Sequence, residues 1–193
     1  MFMKTLLLSS MITFAAAVAL HADEVTATIN NVHLCCKSCV TGAEKAVSTV
    51  EGAKVSADQE NGTLTLSGPD TATLQKAADA LVQAGYYGKS ASPAVALKSN
   101  PGAQGKQVQS LEIEGVHLCC AKCAKAVDRA VKSVPGVENQ TAVKGAKKFQ
   151  VTGNFNDRAV FDALEHEGLA GKAVVQPSGI RSAAPAPAPP SKD

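Results

Sequence analysis

The chain of 193 residues contains no tryptophan, and aromatic residues make up only 4% of it. A core must therefore be assembled mainly from Val, Leu, Ile and Ala. Charge of one sign is also missing. Lys and Arg number 19 against 17 Asp and Glu, interspersed, with no basic block and no basic–aromatic stripe. That removes the footprint of a nucleic-acid surface. No carboxylate pair, no nucleophile–base arrangement and no phosphate-cradling loop stands out, so nothing reads as a reaction centre and an enzyme is not expected. The 45% hydrophobic and 19% charged shares are those of a globular chain.

The N-terminus carries a long apolar stretch. "MFMK" gives a short basic start, and "LLLSSMITFAAAVAL" gives an apolar stretch short for a membrane span. "LHA" followed by "DE" suggests cleavage after Ala22. Residues 1–22 are thus expected to be a signal peptide, with no membrane span after its removal. Its loss takes away Lys4 alone and leaves 18 basic against 17 acidic side chains. The protein is expected to be exported, either periplasmic or secreted. In such an oxidising compartment, cysteines by default form disulfides.

All six cysteines lie in two short stretches, "VHLCCKSCV" at 32–40 and "VHLCCAKCA" at 116–124. The match extends further. Ile29, His33, Val47 and Val50 recur 84 residues on as Ile113, His117, Val131 and Val134. "LTLSG" at 64–68 answers "FQVTG" at 149–153, and "AGYYGK" at 84–89 answers "EGLAGK" at 167–172.

Each copy reads in one order. A half-buried strand (Ala27, Ile29; Leu111, Ile113) leads into the cysteine loop. A helical face follows: Val40, Ala43, Ala46, Val47 and Val50, matched by Ala124, Val127, Ala130, Val131 and Val134. Gly52 and Pro135-Gly136 end these helices. Strands at 53–58 and 63–67 flank Asn61-Gly62, a hairpin signal because both residues tolerate positive φ. Their counterparts are 137–143 and 148–152. A second helix is capped by Asp70 in one copy and Asn156 in the other, and a last strand is clearest as "KAVVQ" at 172–176.

The expected fold is α+β: two ferredoxin-like βαββαβ domains in tandem, 23–89 and 108–177. "SASPAVALKSNPGAQGKQ" at 90–107 has the composition of a flexible linker. The Ala/Pro tail at 178–193 is expected to be disordered. Cores of this size are thin, and a bound metal could help hold them.

Three cysteines per copy cannot all pair within it. Cys36 and Cys39 would close almost no loop, so a structural disulfide gains little, and a bridge between adjacent Cys35 and Cys36 is strained. Metal binding explains the cluster better, because thiolates select soft ions such as Cu(I) and Zn(II). A C-x-x-C at a loop-to-helix junction can aim both sulfurs at one ion, and the helix N-terminus favours thiolate.

The βαββαβ order with C-x-x-C between the first strand and first helix resembles the heavy-metal-associated (HMA) domain. That domain occurs in copper chaperones, mercury-binding periplasmic proteins and the N-terminal parts of metal-pumping ATPases. The resemblance covers 25–89 and 108–176. It implies metal ligation by Cys36 and Cys39, and by Cys120 and Cys123, with a metal-transporting or metal-accepting protein as partner. The family usually has Gly-Met-x before the first ligand. Here His33-Leu34-Cys35 and His117-Leu118-Cys119 stand there instead. Cys35 and Cys119 thus offer a third thiolate, and His33 or His117 could complete a Cys₃His tetrahedron of the structural zinc type or hydrogen-bond to a ligand. Adjacent strand residues point to opposite sides, so Cys35 and Cys36 reach one ion only if the loop is irregular. Leu34 and Leu118 read as apolar plugs, Tyr86 as core packing, and Lys89 and Lys172 as solvated lysines.

The leading expectation is an exported carrier, buffer or sensor of Cu(I) or Zn(II). Two others stand beside it: a thiol–disulfide oxidoreductase using the C-x-x-C pairs, and an interaction module stapled by zinc.

Overall fold

The computed structural model describes residues 24–174, so the expected signal peptide and the Ala/Pro tail lie outside the described residues. The first unit runs β1 Val25–Asn30, α1 Lys37–Val47, β2 Lys54–Asp58, β3 Thr63–Gly68, α2 Thr71–Gln83 and β4 Lys89–Ser90. The second runs β5 Gln107–Glu114, α3 Ala121–Lys132, β6 Val137–Gln140, β7 Lys148–Asn156, α4 Asp157–His166 and β8 Lys172–Ala173. Each builds a four-stranded antiparallel sheet, in the orders β2-β3-β1-β4 and β6-β7-β5-β8. Both units are thus βαββαβ.

The apolar periods set these elements. In the first unit Ala27 and Ile29 of β1 and Leu64 and Leu66 of β3 turn inward against Ala43 and Val47 of α1 and Leu74 and Leu81 of α2. In the second, Ile113, Val151 and Phe155 meet Val127, Val131, Phe161 and Leu164. Asp70 caps α2, its carboxylate accepting from the Thr73 N–H at 2.7 Å. Asn156 caps α4, accepting from the N–H groups of Arg158 and Ala159 at 3.0 and 3.2 Å.

Two local expectations change. In the β2–β3 turn only Gly62 takes positive φ, at 61°. Asp58 organises that turn, its carboxylate accepting from the N–H groups of Glu60 and Asn61, each at 3.1 Å. The last strand is short: the ladder with β5 ends at Ala173, whose N–H turns to Pro101 O at 2.8 Å.

The connection, whose composition reads as a flexible linker, makes contacts with both units. Within 90–107, Val95 and Leu97 are buried. Gln75 on α2 clamps Ala96, its amide donating to Ala96 O at 2.8 Å and accepting from Ala96 N at 3.0 Å. Further on, the buried Asp157 carboxylate accepts from Gln104 N at 2.9 Å and Lys106 N at 2.8 Å. The first half therefore lies on the first unit and the second half on the second. Asp157→Ala would orphan two backbone donors, each worth about 1–3 kcal/mol if left unsatisfied. The expected result is a lower midpoint of chemical unfolding and faster cleavage within 98–107 in limited proteolysis.

The units meet directly. Tyr86 and Leu169 form an antiparallel bridge. Tyr87 N donates to Gly168 O at 3.1 Å, Ala170 N to Gly85 O at 3.0 Å, and His33 N to Gly168 O at 3.3 Å. This junction brings the two cysteine loops face to face.

Candidate metal centre

Each cysteine loop leaves the first strand of its unit and enters a helix. Cys36 is the N-cap residue of α1 and Cys120 that of α3, both with extended backbone. Cys39 and Cys123 lie in the first helical turns and are fully buried, while the other four thiols are half-buried. Leu34 and Leu118 are buried against the loops. All six cysteines are free.

The loop is irregular enough to defeat strand alternation. Asn31 has φ 59°, and both Cys35 and Cys36 bring their sulfurs to Cys39, each at 3.6 Å. The sulfurs then continue across the junction. Cys35 Sγ lies 3.4 Å from Cys120 Sγ and 3.5 Å from Cys123 Sγ. Cys119 Sγ lies 3.6 Å from Cys36 Sγ and 3.4 Å from Cys39 Sγ. Cys39 and Cys123 approach at 3.8 Å. Within the second unit Cys123 lies 3.8 Å from Cys119 and 3.7 Å from Cys120. The sequence offered one site per copy and left joint binding by the two open; the structure gathers all six sulfurs into one cluster. A looser group, Cys119, Cys120 and Cys123 within 4.8 Å, comes from the second unit alone.

These spacings suit metal ligation. A disulfide needs sulfurs about 2.05 Å apart. Sulfurs at about 2.3 Å from a shared tetrahedral ion stand about 3.8 Å from one another, close to the 3.4–3.8 Å seen here.

The two histidines differ. His33 falls with the Cys35 and Cys123 sulfurs in one group within 4.8 Å, and its Nε2 is buried without a hydrogen-bond partner. His117 turns to Tyr86, with ring centroids 4.5 Å apart and Nε2 3.1 Å from the phenol oxygen. Tyr86 O–H donates to Cys39 O at 2.7 Å. Its single proton is thereby used, so His117 carries its proton on Nε2 and donates to Tyr86. Burial holds the His117 pKa below the usual value, which keeps the ring neutral. Tyr86 is therefore more than the core residue its sequence context suggested. The signal was its counterpart, because Leu169 stands at that position in the second unit. Room for the phenol comes from Gly42, where a Cβ would lie 2.3 Å from Tyr86 Oη and 2.9 Å from the His117 ring. The residue equivalent to Gly42 is Ala126.

Thiols this close cannot all ionise alone. Burial and the Cys120 and Cys123 thiols push Cys35 up. The Cys123 thiol and burial push Cys39 up, and Cys119 is raised to about 12, chiefly by burial. Burial also opposes the Cys36 thiolate, but the Cys39 N–H and the Cys119, Cys39 and Cys120 thiols outweigh it and hold Cys36 at about 7. Cys123 is held down, first by the Cys39 thiol. A bound cation would invert this balance and favour thiolate throughout.

A cleft of about 560 Å³ reaches His33 and Cys35, with Glu60, Glu165, His166 and Lys89 also lining it. Lys89 and Lys172 are exposed, and Lys172 pairs with Glu114 at 3.3 Å. Among the described residues no helix is long and apolar enough to cross a membrane.

No family model matches the chain. Over 121 residues, 61% of its length, the chain is 32% identical to a copper-transporting ATPase 2 of Rhizobium meliloti strain 1021, and it spans 12% of that protein. Among solved structures, the N-terminal domain of PacS from Synechocystis PCC6803 overlaps 35% of this chain and all of its own, at 24% identity and a TM-score of 0.31. The N-terminal soluble domains of Bacillus subtilis CopA overlap 79% of this chain and 95% of their own, at 16% identity and a TM-score of 0.29.

Proposed function

We propose that the protein binds soft metal ions, with Cu(I) its cargo, and acts as an exported carrier, buffer or sensor that exchanges copper with a transporting or accepting protein. One observation carries this reading: six free thiols from two distant stretches converge at ligand spacing. Thiolates in such number select soft ions. The copper-transporting relative lends support to copper over zinc. Export rests on the apolar N-terminal stretch alone.

A redox role has one observation in its favour, the depressed Cys36 thiol at a helix N-terminus. A single experiment separates the readings. The full chain is purified without air, its metal content and free thiols are counted, and Cu(I) or Zn(II) is then titrated in. Retained copper, lost in the Cys39→Ala/Cys123→Ala variant, supports the carrier. Zinc whose chelation unfolds the chain supports a staple. No uptake, with disulfides that cycle readily, makes the protein an oxidoreductase. The same titration reads protons. Cys35, Cys39 and Cys119 have raised pKa values, so they are thiols at neutral pH and must lose protons to bind. Uptake should acidify a weakly buffered solution, and apparent affinity should rise with pH; pH-independent uptake would contradict this ionisation pattern.

A further inference from the structure

The close sulfur approaches do more than bring thiols together; they close triangles. Cys35, Cys39 and Cys123 form one, and Cys35, Cys120 and Cys123 a second. Cys36, Cys39 and Cys119 form a third, and Cys39, Cys119 and Cys123 a fourth. Exchanging the two units maps the first onto the fourth and the second onto the third. Every triangle draws sulfurs from both units. Each can offer a three-thiolate face to a soft monovalent ion, and neighbouring triangles share sulfurs, as bridging thiolates do.

Resting on the copper reading above, we infer that the two units hold their cargo jointly, as one core of four Cu(I) ions held by all six thiolates, with Cys35, Cys39, Cys119 and Cys123 shared between ions, Cys36 and Cys120 each serving one, and the His33 imidazole as a nitrogen donor at one end. The ions enter as Cu(I), so no electron moves. Each thiol still protonated passes its proton to solvent, and six thiolates with four monovalent ions leave a net charge of −2. Two features offset that charge. The N-termini of α1 and α3 converge on the core from opposite units. Lys37 and Lys122 stand exposed beside the ligating cysteines in sequence.

His33 supplies an independent observation. Its Nε2 is buried and unpartnered, and its group includes Cys35 and Cys123, the edge shared by the first two triangles. His117, in the equivalent position, is committed to Tyr86. Leu169 offers His33 no such hydroxyl. The core is therefore symmetric in sulfur and asymmetric in nitrogen.

The test is an anaerobic titration of the full chain with Cu(I), supplied as its acetonitrile complex and read by native mass spectrometry. The expected result is a direct passage from the metal-free chain to a four-copper species, with one- and two-copper species sparse. Cys36→Ser removes the third triangle alone and should lower the limit from four to three. Two ions taken up independently, falling to one in Cys36→Ser, would overturn the joint core while leaving copper binding intact. No uptake would overturn both. His33→Gln should cut retention against a competing chelator by about tenfold, with an unchanged far-UV spectrum. Unchanged retention would remove His33 from the core.

Discussion

The Gly85→Ala/Gly168→Ala double variant is expected to part the two units and abolish the joint copper core while each unit stays folded. Both glycines have positive φ, 89° and 77°, where a side chain costs about 1–2 kcal/mol. The larger obstacle is the neighbouring backbone. A Cβ on Gly85 would lie 2.4 Å from Gly115 O and 2.4 Å from His117 N. One on Gly168 would lie 2.4 Å from Asn31 O and 2.6 Å from His33 N. No rotamer change relieves a clash with main chain, so the contacting segments must separate. Those segments lead directly into the two cysteine loops, and separation breaks every cross-unit triangle. Small-angle scattering should report a larger radius of gyration at unchanged helix content. Unaltered scattering and full copper capacity would show that the junction does not govern the site.

The second large effect concerns the two buried cysteines. Cys39 and Cys123 each take part in three of the four sulfur triangles, and together they touch all of them. Replacing both with Ala should therefore remove nearly all high-affinity Cu(I) binding, a loss of at least about a hundredfold in retention. Replacing Cys36 and Cys120 instead should halve capacity, because the first and fourth triangles survive. Equal losses in the two pairs would argue for two separate C-x-x-C sites. Ala is preferred to Ser at 39 and 123, since both sites are fully buried and a hydroxyl there would lack a partner. Anaerobic dialysis against a calibrated Cu(I) chelator measures both variants.

Much of the fold was legible because it is local. The apolar faces of α1 and α3, the alternation in β1 and β3, and the caps Asp70 and Asn156 all follow from short-range periods and side-chain chemistry. The contacts of the linker could not be read from its composition of Pro, Gly, Ser and Ala. Its docking depends on Val95, Leu97 and two distant polar clamps, Gln75 and Asp157. Each cysteine loop was visible, and the irregularity needed to bring Cys35 beside Cys36 was foreseeable as a condition. The meeting of the loops was not. It rests on a single bridge, Tyr86 to Leu169, and on backbone contact at Gly85 and Gly168, none of which has a periodic signature. The unequal histidines turn on one substitution between copies, Tyr86 against Leu169, whose meaning appears only when Gly42 and Cys39 O are seen around the phenol.

X-ray absorption at the copper edge of the Cu(I)-loaded full chain tests most directly whether the six thiols act as one centre. The account predicts about three sulfurs around each copper, with a second copper close by, a signal lost in the Gly85→Ala/Gly168→Ala variant. Copper held by two sulfurs, with no copper neighbour and no change in that variant, would contradict it.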